Sequence, residues 1–295
     1  MLDFKVIELS DKPWVDKLLQ ISDFRGCEYC FANNMAWRRM YDTRVTRYKD
    51  FYISCSESEE GVYFTFPAGG GDYKDVFSEM KKYSEAKGHP LTIGSVTPDK
   101  FGLFEELFPR DSYTIECDEG GWDYVYNVTD LAELKGKKYH GKRNHLKKLL
   151  AMDYSYAPLE EKDFDDCISY AVHTYNRDSA YDDRSKVCEQ FAINTYFENF
   201  HALGLTGGVL RVGGKIAAFT IGERINSDTL GVHIEKAEPD IDGAYPAINQ
   251  MFSSSAGKGF SYINREEDLG IEGLRKAKRS YHPAFMIEKH TIHFK

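Results

Sequence analysis

The 295-residue sequence carries 38 Lys and Arg against 47 Asp and Glu, a formal net charge of −9. This balance excludes a global basic field that would gather nucleic acid or acidic lipid. Hydrophobic residues make up 42% and aromatics 14%, which excludes a disordered chain and leaves enough length for two domains.

The stretch to Trp14 is charged and lacks the apolar centre of a leader. No apolar run is long enough to cross a bilayer, so a soluble, cytoplasmic protein with no membrane span is expected. Helices are expected near Pro13–Ile21 and Ala32–Tyr41. Cys27 and Cys30 form one CxxC with no second pair at zinc-finger distance. With Cys55, Cys117, Cys167 and Cys188 they read as reduced thiols, and no metal site is expected.

Strands follow at Phe51–Ser56 and Gly61–Pro67, then a turn, Gly69-Gly70-Gly71, that opens a helix from Asp72 to about Lys87. A strand at Leu91–Val96, a short helix at Lys100–Leu107, and strands near Tyr113–Cys117 and Asp123–Val128 come next. Between 134 and 150, Lys135, Lys137, Lys138, Lys142, Arg143, Lys147 and Lys148 form the one dense basic segment. The plain reading of that segment is a solvated helix face.

Helical stretches at Phe164–Tyr175 and Ser185–Leu203 precede two β-rich runs, Thr206–Val212 and Lys215–Ile225. Gly213-Gly214 splits them as a hairpin turn would. Thr229–Glu235 is a third strand, Gly243–Ala256 a helix with Tyr245, Ile248 and Phe252 on one face, and Phe260–Asn264 a short strand. A helix over Ile271–Tyr281 stops before Pro283, and Phe285–Phe294 alternates as a last strand. The second half therefore reads β-β-β-α-β-α-β, a pattern the first half repeats in diluted form. The expected class is α/β (α+β), with mixed sheets in two tandem domains, 1–120 and 121–295.

The motifs of the last third are specific. His233-Ile234-Glu235-Lys236-Ala237, Gly243-Ala244-Tyr245, Ile248-Asn249, Tyr262 through Gly270 and Leu274-Arg275-Lys276-Ala277-Lys278, with Lys142-Arg143-Asn144 earlier, resemble an uncharacterised bacterial family. That family is related to the soluble C-terminal domain of phosphatidylglycerol lysyltransferase, and the resemblance spans essentially the whole chain. It implies tandem GNAT-like domains and relatives that transfer aminoacyl groups from tRNA, as the Fem peptidyltransferases do. The lysyltransferases carry a membrane domain that supplies the lipid; with no membrane-crossing run here, lipid aminoacylation is not inherited.

Acyl transfer needs a base for the acceptor, donors for the oxyanion and a proton for the leaving group. Period-2 alternation puts His233 and Glu235 on one strand face, with Glu235 as expected base, or as a plain ion-pair partner of Lys236 or Arg265. Asn264, Arg265, Glu266 and Asp268 follow a strand as an expected substrate clamp, joined by Arg275 and Lys278 at i, i+3; a structural ion-pair knot is the alternative. The resemblance adds Asn249 to the substrate side and gives Tyr281 the role of protonating the leaving group, against a plain helix-end packing tyrosine. The donor is expected at Gly243, Ala244 and Tyr245, at Gly69, Gly70 and Gly71, and at Lys142, Arg143 and Asn144. The second-unit turn carries Glu238, Asp240 and Asp242, whose carboxylates repel phosphate.

The leading reading is a transferase of acyl or aminoacyl groups to an amine or hydroxyl of a small-molecule or peptide acceptor. Aminoacyl-tRNA, held through 135–148, is the donor implied by the resemblance, and acyl-CoA the donor implied by fold alone. No tightly bound cofactor is expected. The rival class is a non-catalytic small-molecule-binding module derived from such a transferase.

Overall fold

The computed structural model describes residues 2–175 and 183–295, which form two compact units. The first unit comprises 1–123, 267–270 and 287–295; the second comprises 124–266 and 271–286.

The first unit runs β1 (Lys5–Val6), α1 (Lys12–Ser22), α2 (Phe31–Ala36), α3 (Arg38–Tyr41), β2 (Arg44–Tyr48), β3 (Phe51–Ser58), β4 (Gly61–Thr65), β5 (Ala68–Gly69), α4 (Tyr73–Ala86), β6 (Thr92–Val96), α5 (Phe101–Leu107) and β7 (Tyr113–Cys117). Hydrogen bonding orders most of its strands β1-β2-β3-β4-β6, with β5 on β3. Only β4 and β6 run parallel among the described pairs of this sheet. Helix α4 makes that crossover. The Asp72 carboxylate caps it, accepting from the N–H groups of Lys74 and Asp75. Val76, Phe77 and Met80 bury its inner face. They join Phe64, Phe66 and Phe104 in an aromatic core, where Phe77 stacks on Phe104 at 5.2 Å. Each such phenyl contributes about 1.5–3 kcal/mol by leaving water.

The second unit continues β8 (Asp123–Asn127), α6 (Val128–Glu133), α7 (His140–Leu150), β9 (Tyr154–Pro158), α8 (Phe164–Tyr175), α9 (Asp183–Glu198), α10 (Phe200–Leu203), β10 (Thr206–Val212), β11 (Lys215–Arg224), β12 (Thr229–Ala237), α11 (Ala244–Ser255), β13 (Tyr262–Asn264), α12 (Glu272–Arg279) and β14 (Phe285–Ile287). Its sheet is ordered β14-β8-β13-β12-β11-β10-β9. β12 and β13 are parallel and α11 joins them. Both residues of the Gly213-Gly214 turn have positive φ, as the two-residue hairpin requires. Helix α11 packs Ala244, Ala247 and Ile248 against Ala217, Ala218 and Ala237, small side chains that let helix and sheet approach closely.

One expected strand is two. Phe285–Phe294 divides into β14, at the edge of the second sheet, and β15 (His290–Phe294), which lies between β6 and β7 in the first. Glu288-Lys289 interrupts the alternation, and Lys289 is held by first-unit carboxylates.

Candidate active site

The expected pairing of His233 with Glu235 on one strand face is overturned by a β-bulge. Ile221 pairs with Ile234 and Gly222 with Val232, so His233 is the extra residue on β12. A bulge breaks the period of two and redirects the side chain. The His233 ring stacks on Tyr196 of α9, with centroids 5.7 Å apart and planes at 10°. Its Nδ1 lies 2.7 Å from a Glu266 oxygen and its Nε2 3.2 Å from a Glu223 oxygen. With a carboxylate on each nitrogen, the imidazole directs no free lone pair at an acceptor. Carboxylates facing both ring nitrogens place His233 at the centre of a buried hydrogen-bonded group.

Glu235 points instead toward α11. Asn249 donates to its Oε2 at 3.2 Å, and Arg265 donates to its Oε1 at 2.8 Å. The carboxylate expected as a base is thus bound to a guanidinium, and both side chains are nearly buried, at 12% and 10% exposure. Burial opposes the Arg265 charge most strongly, but Glu235, Tyr126 and Tyr281 together outweigh it and keep the cation. Arg265 Nη1 and Asn249 Oδ1 are buried with no hydrogen-bond partner. Each residue anchors one side of Glu235 and keeps one polar atom unused.

The Arg265 guanidinium also lies 4.9 Å from the Tyr281 ring centre and 5.8 Å from that of Tyr126. Lys142 joins this group. Its Nζ sits 3.8 Å from the same Tyr281 ring centre. Burial first, and the nearby Arg265 charge second, push the Lys142 amine down to about 8, with Glu235 acting the other way. A lysine facing water would not titrate there. The segment read as solvated therefore turns one cation inward.

Two tyrosines hold this arrangement from behind. The Tyr126 hydroxyl donates to the Lys278 carbonyl, and the Tyr139 hydroxyl to the Tyr281 carbonyl, both at 2.8 Å. Neither was singled out from the sequence. The faint signals were the aromatic alternation of Tyr124-Val125-Tyr126 and a tyrosine inside the lysine run.

The expected clamp over 264–268 does not form as one device. Arg265 binds Glu235, Glu266 binds His233, and the buried Asp268 accepts from the Gly270 N–H. The Asn264 side chain accepts from the Glu266 N–H, and Glu266 and Leu269 both have positive φ. These reversals send successive side chains in different directions. Lys278 donates to the Arg265 carbonyl, a backbone role in place of the expected one. Arg275 lies half-buried on α12. Tyr281 is buried, and burial raises its phenol well above its ordinary range. It holds its proton and forms the platform under two cations, Lys142 and Arg265.

The donor residues also divide. A Cβ on Gly69 would lie 2.0 Å from the Asp50 carbonyl oxygen, so this glycine serves close backbone approach. Gly70 donates to that same oxygen, and Gly71 packs on Phe51. A Cβ on Gly243 would meet the His145 carbonyl oxygen at 2.2 Å, and the Ala244 N–H is taken by Ile241. Tyr245 is exposed. The acidic turn is answered by the basic segment: Asp242 pairs with His145 and Lys148, each at 2.5 Å. Arg143 donates to the carbonyls of Leu134 and Gly136 and closes the end of α6, while Asn144 pairs with His140. Both Arg143 contacts come from its Nη1.

Two mixed sheets, each with a helix crossing between parallel strands, define tandem GNAT-like domains. The chain belongs to the family described as phosphatidylglycerol lysyltransferase, C-terminal, which matches residues 19–293. Among solved structures, a conserved protein of unknown function from Bacteroides thetaiotaomicron is 37% identical over 100% of both chains, with a TM-score of 0.94. L-PGS from Bacillus licheniformis superposes with a TM-score of 0.68 at 14% identity, covering 99% of this chain and 94% of that one. FemX superposes with a TM-score of 0.67 at 8% identity, covering 99% and 97%. No curated protein matches the chain. Among the described residues, no helix is long and apolar enough to cross a membrane.

Proposed function

We propose that this chain transfers an aminoacyl group from aminoacyl-tRNA to an amine or hydroxyl acceptor, at a site in the second unit built on Lys142 and Arg265. The observation that carries this reading is Lys142, whose amine is held at about 8 over the Tyr281 ring. Near neutral pH both of its forms are populated, which suits a group that first accepts and then returns a proton. The neutral amine takes the acceptor's proton as the acceptor attacks the ester carbonyl. The carbon–oxygen bond to the ribose then breaks, and the ammonium protonates the leaving hydroxyl. Arg265 Nη1, buried and without a partner, stabilises the oxyanion between these steps. Glu235 is a positioning residue that fixes the guanidinium, and Asn249 fixes Glu235.

The family membership favours an aminoacyl over a simple acyl donor, and the enclosed turn at Gly243 offers coenzyme A phosphates little. The acceptor class is a small molecule or a peptide. A lipid headgroup acceptor would require an outside source of lipid contact.

The test is transfer from charged tRNA to candidate acceptors, comparing wild type with Lys142→Met. The expected result is transfer by wild type with a loss of about 10²–10⁴-fold in turnover for the variant. Full turnover in Lys142→Met refutes the mechanism. Binding of a small amine without any transfer from a full set of charged tRNAs or from acyl-CoA would instead establish the non-catalytic module.

A further inference from the structure

The first unit buries a second polar cluster that the transfer reaction does not use. Cys27 opens a short helical turn, Cys27–Tyr29, and its N–H donates to the Asp123 carboxylate at 2.9 Å. The Cys27 Sγ lies 3.5 Å from Asp123 Oδ1 and 3.3 Å from Glu267 Oε2. Lys289, between β14 and β15, reaches into the same place. Its Nζ is 2.6 Å from Asp123, 2.8 Å from Glu28 and 3.4 Å from Cys27 Sγ. Cys27 is 5% exposed and the Lys289 side chain 12%. The Cys27, Asp123 and Glu267 ligand atoms lie within 4.8 Å of one another, as a metal site would need. The lysine ammonium already stands among them as the cation, so this geometry favours Lys289 over a metal.

We propose that Cys27 and Lys289 are a redox-sensitive modification site, joined by peroxide into a reversible nitrogen–oxygen–sulfur bridge. Three features of the cluster lead there. The sulfur and the amine nitrogen are in contact, carboxylates that hold Lys289 as its ammonium lie within proton-transfer reach of both, and burial limits access by bulk water. In the first step the sulfur attacks one peroxide oxygen. The sulfur–oxygen bond forms, the oxygen–oxygen bond breaks, water leaves, and Glu267 relays the thiol proton. This gives the sulfenic acid, the first rung of cysteine oxidation.

In the second step Asp123 takes a proton from Lys289, and the nitrogen bonds to the sulfenic oxygen as a second peroxide is reduced to water. One thiol, one neutral amine and two peroxides give one S–O–N bridge and three waters. Sulfur and nitrogen together give up the four electrons that the two peroxides accept. An inserted oxygen spans much of the existing gap, so the backbone has little to move. A thiol reductant reverses the linkage by attack at sulfur.

The test is peptide mapping of the full chain after graded hydrogen peroxide, with exposed Cys117 as the internal dose marker. The expected product is one peptide pair joining Cys27 to Lys289, heavier than its parts by one oxygen less two hydrogens and released by reductant. Lys289→Arg keeps the cation and should abolish it, while Cys30→Ser should leave it intact. The oxidised wild type should also melt at a higher temperature and return on reduction, because the bridge ties β15 to the start of the chain. Three results would each overturn the proposal: Cys27 unchanged once Cys117 is fully oxidised, Cys27 as sulfinic acid with Lys289 unmodified, or a Cys27–Cys30 disulfide in its place. If Lys289→Arg does not fold, the wild type and Cys30→Ser maps still decide.

Discussion

Both units contain the same crossover, strand to glycine-led helix to parallel strand, as β4–α4–β6 and β12–α11–β13. What differs is what the chain places beside it. After β4 the first unit continues into Phe66, buried against Phe77 and Phe104. In the second, β12 carries Glu235 near its end and β13 runs into Arg265, with Lys142 brought in by α7. The first crossover is filled with aromatic rings, the second with charge. Topology fixes where strand ends meet a helix, and chemistry arises where the sequence accepts the cost of burying polar groups there.

That contrast breaks first at Lys142. Lys142→Met should cost about 10²–10⁴-fold in turnover and leave folding intact, because it removes a half-buried cation that lies beside another. The pH dependence sharpens it. Turnover should rise through about pH 8 as Lys142 loses its proton, and the variant should lack this limb. Stability carries the same sign. The folded-state amine is depressed from 10.5 to about 8, so the unfolded chain binds more protons between those values. Wild type should therefore gain stability relative to Lys142→Met as pH rises from 8 to 10.5, by at most about 3 kcal/mol less solvent screening.

Arg265→Ala should destabilise the second unit by about 3 kcal/mol, since it leaves the Glu235 carboxylate buried without its cation. Glu235→Gln should cost less, because the amide still accepts from Arg265. Denaturant midpoints of the two variants check the ranking. Equal losses would mean that the pair is not acting as a buried ion pair.

Much of this was legible in the sequence. The period-2 runs, the Gly213-Gly214 hairpin and the helix stopped before Pro283 marked the second sheet, and the family motifs picked out both Glu235 and Arg265. What failed was direction. Counting alternate residues along β12 cannot register one inserted residue, so His233 and Glu235 were given one face when the bulge gives them two. Counting along 264–268 cannot see the positive φ of Glu266 and Leu269. The inward turn of Lys142 was hidden by its neighbours, since one half-buried lysine in a run of exposed ones has no local signature. The break at Glu288-Lys289 was visible only as two charges in an alternating stretch. Its cause is the first-unit carboxylates, distant in sequence.

Within the basic segment the same distinction predicts unequal roles. Lys147 is exposed, whereas Arg143 is spent on the Leu134 and Gly136 carbonyls. If the segment meets tRNA, Lys147→Glu should flatten the salt dependence of binding by roughly one unit or more. Arg143→Ala should change that slope little and lower stability instead. Salt titrations of tRNA binding by the two variants decide this, and equal slopes would return the whole segment to a solvated surface.

The smallest effect belongs to the first crossover. Asp72 accepts from the Lys74 and Asp75 N–H groups, so its carboxylate already satisfies the start of α4. The corresponding position in the second unit, Gly243, has no side chain to do so. A helix start occupied by its own carboxylate is poorly suited to a phosphate, which would meet a like charge. Asp72→Ala should therefore cost only about 1 kcal/mol of stability, the ordinary price of a lost cap, and leave turnover and donor binding at wild-type levels. A thermal melt and a donor titration measure both. If turnover or donor affinity instead falls tenfold while the melt shifts only slightly, Asp72 lies in a working donor site. The first unit would then share in catalysis, and the division between an aromatic unit and a charged one would have to be redrawn.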